Sequence, residues 1–176
     1  MYIKIIIDCW RFKVKPTPKE IPHIRKRMRE QKLTVWELHK ALENGQTVQP
    51  ALLDAHGRFR SQQVFLVDVD GGRTPENSMQ VCRQTNIIPA MMYFTFSSTV
   101  DDPRHRLVFL LDKPIEDAAQ RDALQKALTQ LFGGDPKTND RKRLFFGGTR
   151  VFNCMDGTIP PSKIKALLEG KGGVSV

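Results

Sequence analysis

Apolar residues run unbroken through Val64-Phe-Leu-Val67, then alternate with acid as Asp68-Val69-Asp70 before Gly71-Gly72. A short apolar run bounded by glycine reads as a buried strand. Period-two alternation puts Asp68 and Asp70 on one face and Val67 and Val69 on the other. Thr74-Pro75 supplies an N-cap and a proline at the first helical position, predicting a helix to about Thr85. Ala90–Ser97 is rich in aromatic and β-branched residues and reads as a strand. Thr99 to Pro103 reads as a polar turn, and Arg104–Leu111 as the next strand, ended by Pro114. From Glu116 to Phe132, Ala119, Leu124, Ala127, Leu128 and Leu131 recur near helical spacing, and Gly133-Gly134 stops the helix. Arg143–Phe146 reads as a last short strand before another glycine pair. Ser162–Glu169 reads as a terminal helix, with the glycine-rich end after it frayed.

The first third of the chain is less regular. Residues 2 to 7 alternate as a strand. Arg11 to Lys32 is dense in Lys and Arg against Glu20 and Glu30 alone, with Pro16, Pro18 and Pro22 keeping its first half irregular. A basic helix is expected after Pro22, with Ile24 and Met28 as its i, i+4 apolar contact. Thr34-Val-Trp-Glu37 is a capping box, so a second helix is expected from about Val35 to Asn44, stopped by Gly45. Trp36, Leu38 and Leu42 are its expected buried contacts. Gln46 to Gln63 reads as connection.

From Val64 to Phe146 the element order is β-α-β-β-α-β. That is the order of an α+β, ferredoxin-like or RRM-like core with an antiparallel sheet and both helices on one face, here preceded by a strand and helices. The expected organisation is one domain over 1–176: a strand and basic, helical part over 1–63, the core over 64–151, and a turn and helix over 152–176. In the spatial order 4-1-3-2 the first core strand lies between the third and fourth, antiparallel to both. The end of the first strand, with Asp68 and Asp70, then meets Arg104-His105-Arg106 and the segment Asp135 to Arg143.

Charge changes the picture. The 176 residues carry 28 Lys and Arg against 19 Asp and Glu, a net +9, which points to a polyanionic partner, most commonly nucleic acid. Arg25, Lys26, Arg27 and Arg29 are the expected contacts to a nucleic-acid strand, with a solvated face as the alternative. Cys9, Cys82 and Cys154 fit neither a disulfide framework nor a zinc motif and read as reduced thiols of a cytoplasmic protein. No apolar run approaches the ~20 residues of a membrane span, and the early Asp8 argues against a signal peptide. No G-x-x-x-x-G-K-[ST] is present, so no P-loop is encoded.

Two carboxylates side by side at a strand end repel unless a cation lies between them. Mg²⁺ or Mn²⁺ takes such oxygen ligands and shares them with substrate phosphates. Asp68 and Asp70 are therefore candidate metal ligands, against the alternative of a strand running into an acidic turn. Asp135 is the candidate third ligand and Asp140 its competitor, both against ordinary turn chemistry. Arg104 and Arg106 share a strand face, as triphosphate contacts or as ion-pair partners of the aspartates. His105 points the other way in a regular strand, to the core, unless a bulge swings it into the site. Lys142 and Arg143 are phosphate contacts or a solvated turn. Tyr93, Thr95 and Ser97 share a face that could meet a base or sugar; half-buried packing is the expectation.

V-F-L-V-D-V-D-G, then Y-F-T-F-S-S-T-V-D-D-P-R-H-R-L-V-F-L-L-D-K-P, then F-G-G-D-P-K-T-N-D-R-K-R-L-F-F-G-G resemble, in order and spacing, the archaeo-eukaryotic primase superfamily. The closest likeness is to primase–polymerase domains of plasmids, phages and integrative elements. The resemblance covers about Trp36 to Arg150. It implies an RRM-like catalytic module, an acidic metal-binding pair at Asp68 and Asp70, and a third acidic ligand at Asp135. It also implies contact of the incoming nucleotide by Arg104, His105 and Arg106, a strand closer to the variants in which arginine takes the place of the usual small residue and histidine. The implied activity is nucleotidyl transfer with two Mg²⁺ or Mn²⁺ ions, making or extending primers on single-stranded DNA from nucleoside triphosphates. A replicative helicase or initiator on another chain is an expected partner. Two rivals stand: an RRM-like nucleic-acid-binding module without chemistry, and a replication-initiator nuclease. The first would stack bases on central aromatics, where this chain has aspartate and arginine. The second needs a helical tyrosine, and only Tyr2 and Tyr93 exist.

Overall fold

The computed structural model describes residues 1–154 and 157–170; the glycine-rich end expected to fray lies outside them from residue 171. Among the described residues, five α-helices and two antiparallel sheets make an α+β fold. In the first sheet β1 (Tyr2–Ile7) is central, flanked by β2 (Arg29–Thr34) and β3 (Val48–Gln49). Between β1 and β2 the chain makes α1 (Ile21–Arg27), and between β2 and β3 it makes α2 (Val35–Glu43). The second sheet has the order β4-β5-β7-β6-β8, from β4 (Leu52–Leu53), β5 (Phe59–Val69), β6 (Met91–Thr95), β7 (His105–Ile115) and β8 (Gly148–Asn153). Helices α3 (Pro75–Thr85), α4 (Ala118–Phe132) and α5 (Pro161–Leu168) complete the chain. Among the described residues no helix is long and apolar enough to cross a membrane.

Local signals account for most of these elements. Thr34 accepts from the Glu37 amide and Thr74 from the Asn77 amide, each within a reciprocal cap. Asp117 caps α4 and Gly133 ends it at φ 62°. Ile24 and Met28 are buried as expected. Trp36 is not: it is 59% exposed, stacked on His39 with the Lys40 ammonium 4.8 Å from its ring. The first turn of α2 carries it past the edge of the core.

Period-two alternation divides the second sheet into two apolar faces. Phe65, Val67, Val69, Leu107, Phe109 and Leu111 pack against α3, α4 and α5. Val64, Leu66, Met91, Tyr93, Val108 and Leu110 share a core with Ile3, Ile5 and Ile7 of β1 and Leu38 and Leu42 of α2. The face expected to be open is thus covered by the first sheet and α2, except at the end of β5.

Three further expectations change. The stretch read as connection contains β3, β4 and the start of β5. The third core strand continues through Pro114 to Ile115, next to a register shift between Gln62 and Val64, where a missing N–H is tolerated. The fourth core strand is β8, not Arg143–Phe146, and it pairs with β6 rather than β5. The order 4-1-3-2 is therefore incorrect. Phe145 instead bridges Val48, and Gly147-Gly148 is the passage by which the chain reaches β6. A Cβ on Gly147 would meet Gly45 Cα at 2.6 Å, and one on Gly148 would meet Phe94 O at 2.0 Å. Only glycine allows that approach.

Candidate active site

β5 and β7 run antiparallel with Asp68 opposite Arg106 and Val69 opposite His105. The acid-bearing end of β5 therefore meets the start of β7, as the element order implied. Arg106 grips Asp68 bidentately, Nε to Oδ1 at 2.9 Å and Nη2 to Oδ2 at 3.0 Å. Its Nη1 donates to the Phe146 carbonyl, which also accepts from the Tyr93 hydroxyl at 3.0 Å. Both charged residues are buried. Burial works against the Arg106 charge, but Tyr93 and Asp68 more than offset it, and its pKa is raised.

The segment after α4 is the second wall. Gly134 lies so close to β5 that a Cβ would stand 2.4 Å from Val67 Cγ1. The Asp135 amide donates to the Asp68 carbonyl at 2.8 Å, and Asp135 caps a 3₁₀ turn over Pro136–Asn139. Buried Arg121 of α4 holds this turn, donating to the Asn139 carbonyl at 2.6 Å and to Gln62 Oε1 at 2.7 Å. Arg121→Met leaves both acceptors buried without their donor. The expected loss is roughly 3 kcal/mol, two charged hydrogen bonds at about 1.5 kcal/mol each, read as a lower midpoint in urea unfolding.

These walls enclose a pocket of about 380 Å³. Asp68, Asp70, Arg104, Arg106, Lys142 and Arg143 line it, together with Thr95, Ser97 and Asp140. Lys15, Ile21 and Arg25 reach it from the N-terminal region. Arg143 Nη2 stands 3.9 Å from Asp68 Oδ2 and 4.0 Å from Asp135 Oδ2, so Asp135 meets the pocket through Arg143 rather than lining it. Arg104 precedes β7 and is paired with Asp102 at 2.8 Å. Among the described residues, Arg143 Nε and Thr95 Oγ1 are buried without a hydrogen-bond partner. Asp70 sits just past β5; partial loss of hydration and the like charge of Asp68 raise its pKa above the ordinary carboxylate value. Among the described residues, no three His, Cys, Asp or Glu side chains are grouped to hold a metal ion.

His105 is not brought to this pocket. The strand is regular there, so His105 points to the helical face, fully buried, with Nε2 2.8 Å from Ser78 Oγ of α3 and Nδ1 unpartnered. Burial pushes its pKa down to about 4. The unfolded chain takes up a proton near pH 6.5 and the folded one does not, so stability falls as pH drops from about 6.5 toward 4. Between pH 6.5 and 5 the loss is roughly 2 kcal/mol. His105→Asn is expected to flatten that part of the stability–pH curve.

The four basic residues expected to act together are separated. Arg25 faces the pocket and donates to the Lys142 carbonyl at 3.1 Å. Arg27 is bound to buried Asp8 at 2.8 and 2.6 Å. Arg29 donates to the carbonyls of Lys26 and Met28, and Lys26 is exposed outside the pocket. Lys15 was missed because nothing in a run of prolines and lysines distinguishes it.

No protein-family model matches the chain, and no curated protein does. Among solved structures it is similar to the primase-polymerase (PrimPol) AEP domain of cyanophage S-2L, with a TM-score of 0.56 at 12% identity over 95% of this chain and 88% of that one. The three motif blocks and the backbone thus agree: the chain has the fold of an archaeo-eukaryotic primase (AEP) domain.

Proposed function

We propose that this chain is a nucleotidyltransferase that makes or extends primers on single-stranded DNA, in replication of a mobile element. The observation that carries the reading is one pocket in which Asp68 and Asp70 stand among Arg104, Arg106, Lys142 and Arg143. Such a pocket suits a metal-bound triphosphate. The acids fit a divalent cation in one respect above others: the Asp70 carboxyl is held at a raised pKa partly by Asp68, a repulsion that a cation offsets. Asp68 and Asp70 would hold Mg²⁺ or Mn²⁺, with Asp135 as the third acid and Asp140 as its competitor. Bound there, two ions would supply Lewis-acid charge and a more acidic primer 3′-hydroxyl.

The other roles belong to the chain's own side chains. Lys142, Arg143 and Arg104 neutralise the triphosphate from preset positions, which in a partly dry pocket accounts for a large share of a rate. Arg106 is shared: a triphosphate competes with Asp68 for its guanidinium. Arg25 and Lys15 meet the approaching strand. Single-stranded DNA and nucleoside triphosphates are the partners, and a helicase or initiator would act from another chain. The RRM-like binding module loses ground because its stacking face is buried under β1 and α2. The nuclease loses ground because Tyr93 is buried in β6 and Tyr2 lies in β1. Incubation with single-stranded DNA, Mg²⁺ or Mn²⁺ and labelled ribo- or deoxyribonucleotides tests the reading. A ladder of products that vanishes with chelator is expected; no incorporation with any nucleotide or metal overturns it.

A further inference from the structure

Lys4 and Lys32 stand directly opposite each other across β1 and β2. Both are exposed, and like charges in that register destabilise a sheet. Neither makes an ion pair among the described residues. Beside them Tyr2 leaves 61% of its surface exposed, with the Lys32 ammonium 4.8 Å from its ring. These three residues line a groove of about 310 Å³ with Arg60, Ser61 and Gln63 at the start of β5. Glu116 is also in its wall, and Arg60 is bonded to Glu30 at 2.9 Å.

The groove is at the opposite end of β5 from the acid pair. Arg60 and Asp68 are eight residues apart on that strand, about 26 Å at about 3.3 Å per residue. Basic side chains mark the way between the two. Lys142, on the rim of the acidic pocket, lies against Gly57, where an added Cβ would be 3.4 Å from its ammonium. Arg58 follows with its side chain 76% exposed and bonded to Asp54 at 2.7 Å, then Arg60 with 47%.

We propose that this groove binds a segment of single-stranded nucleic acid, with Lys4 and Lys32 on adjacent phosphates and a base stacked on Tyr2. The inference rests on the reading of the acidic pocket as a site of template-directed synthesis, and it supplies that site with a second, distal grip on the strand. An exposed aromatic beside unpaired cations is the pattern of sequence-tolerant single-strand binding. Phosphate bound between Lys4 and Lys32 offsets their repulsion more fully than the Tyr2 ring and Glu116 can.

Fluorescence anisotropy with labelled oligothymidylates of increasing length tests this, using wild type, Lys4→Gln/Lys32→Gln and Tyr2→Ala. Wild-type affinity is expected to rise with length until the strand spans pocket and groove. The double variant loses that rise, and its plot of log K against log[salt] is shallower by about 1.4, two phosphates at about 0.7 each. Tyr2→Ala binds the long strand roughly tenfold more weakly. In wild type, lysine acetylation read by mass spectrometry should show Lys4 and Lys32 protected by the long oligonucleotide and not by the short one, which needs no variant to fold. Unchanged slope and length dependence, or no protection of either lysine, overturns the proposal. Nucleotide incorporation by wild type is measured in parallel, so failure of the nucleotidyltransferase reading shows there and not in the binding curves.

Discussion

Asp70→Asn is expected to reduce nucleotide incorporation to the level seen without protein, while raising the melting temperature at neutral pH. The two effects have one cause. Asp70 is held charged against reduced hydration and the neighbouring charge of Asp68. A carboxyl whose folded pKa is raised favours folding below the ordinary carboxylate range, and that contribution is lost as pH rises through the folded pKa. At pH 7 the Asp70 charge therefore costs a little stability, reduced by its solvent exposure and by the opposite charges of Arg106 and Arg104, and a neutral amide removes that cost. The same amide is a poor ligand for a hard divalent cation. Asp70 makes no ion pair among the described residues, so its replacement leaves no partner stranded. Thermal melts from pH 3 to 8 should show the variant's advantage growing with pH. A variant that is more stable yet still active would remove Asp70 from the chemistry; one that is less stable would contradict the electrostatic account of the pocket.

Arg106→Ala is expected to fail differently. It leaves Asp68 charged and buried without its guanidinium, and takes a donor from the Phe146 carbonyl. Breaking one side of a buried pair costs about 3–5 kcal/mol, enough to unfold a domain of marginal stability. Asp68→Asn/Arg106→Ala removes the stranded charge and should recover part of the loss in urea unfolding, a coupling that a double-mutant cycle measures. Nucleotide affinity of Arg106→Ala itself should stay weak at saturating Mn²⁺. Full rescue by metal would make Arg106 only the partner of Asp68 and move the triphosphate toward Lys142 and Arg143.

How much of this was legible varies with where the cause lies. The end of β5 was readable because alternation, acid and glycine fall within ten residues. The meeting of Asp68 with Arg106 followed from the expected pairing of the first and third core strands, the part of the order 4-1-3-2 that holds. The helices α2 and α3 were readable from caps at Thr34 and Thr74, and α4 from its apolar spacing and the stop at Gly133-Gly134; its cap at Asp117 was not. By contrast, β2 is Arg-Glu-Gln-Lys-Leu-Thr with no buried residue, a strand only because β1 pairs with it. β8 begins with glycine and holds Arg150 at φ 51°, so local preference opposes it. The cover laid by β1 and α2 over the sheet, and the split of Arg25, Arg27 and Arg29 among three partners, are tertiary facts without a local pattern. Asp135 lies beside Asp68, but through its backbone amide in a turn and not as the entry to a neighbouring strand, and its reach through Arg143 depends on a side chain no spacing specifies.

The most direct measurement is a crystal structure with Mn²⁺ and a non-hydrolysable nucleoside triphosphate, using anomalous scattering to locate manganese. The account predicts manganese bound by Asp68 and Asp70, with the triphosphate against Arg104, Lys142 and Arg143 and Arg106 drawn toward it. Manganese and triphosphate bound elsewhere, with the Arg106–Asp68 pair intact and the pocket holding neither, would contradict it.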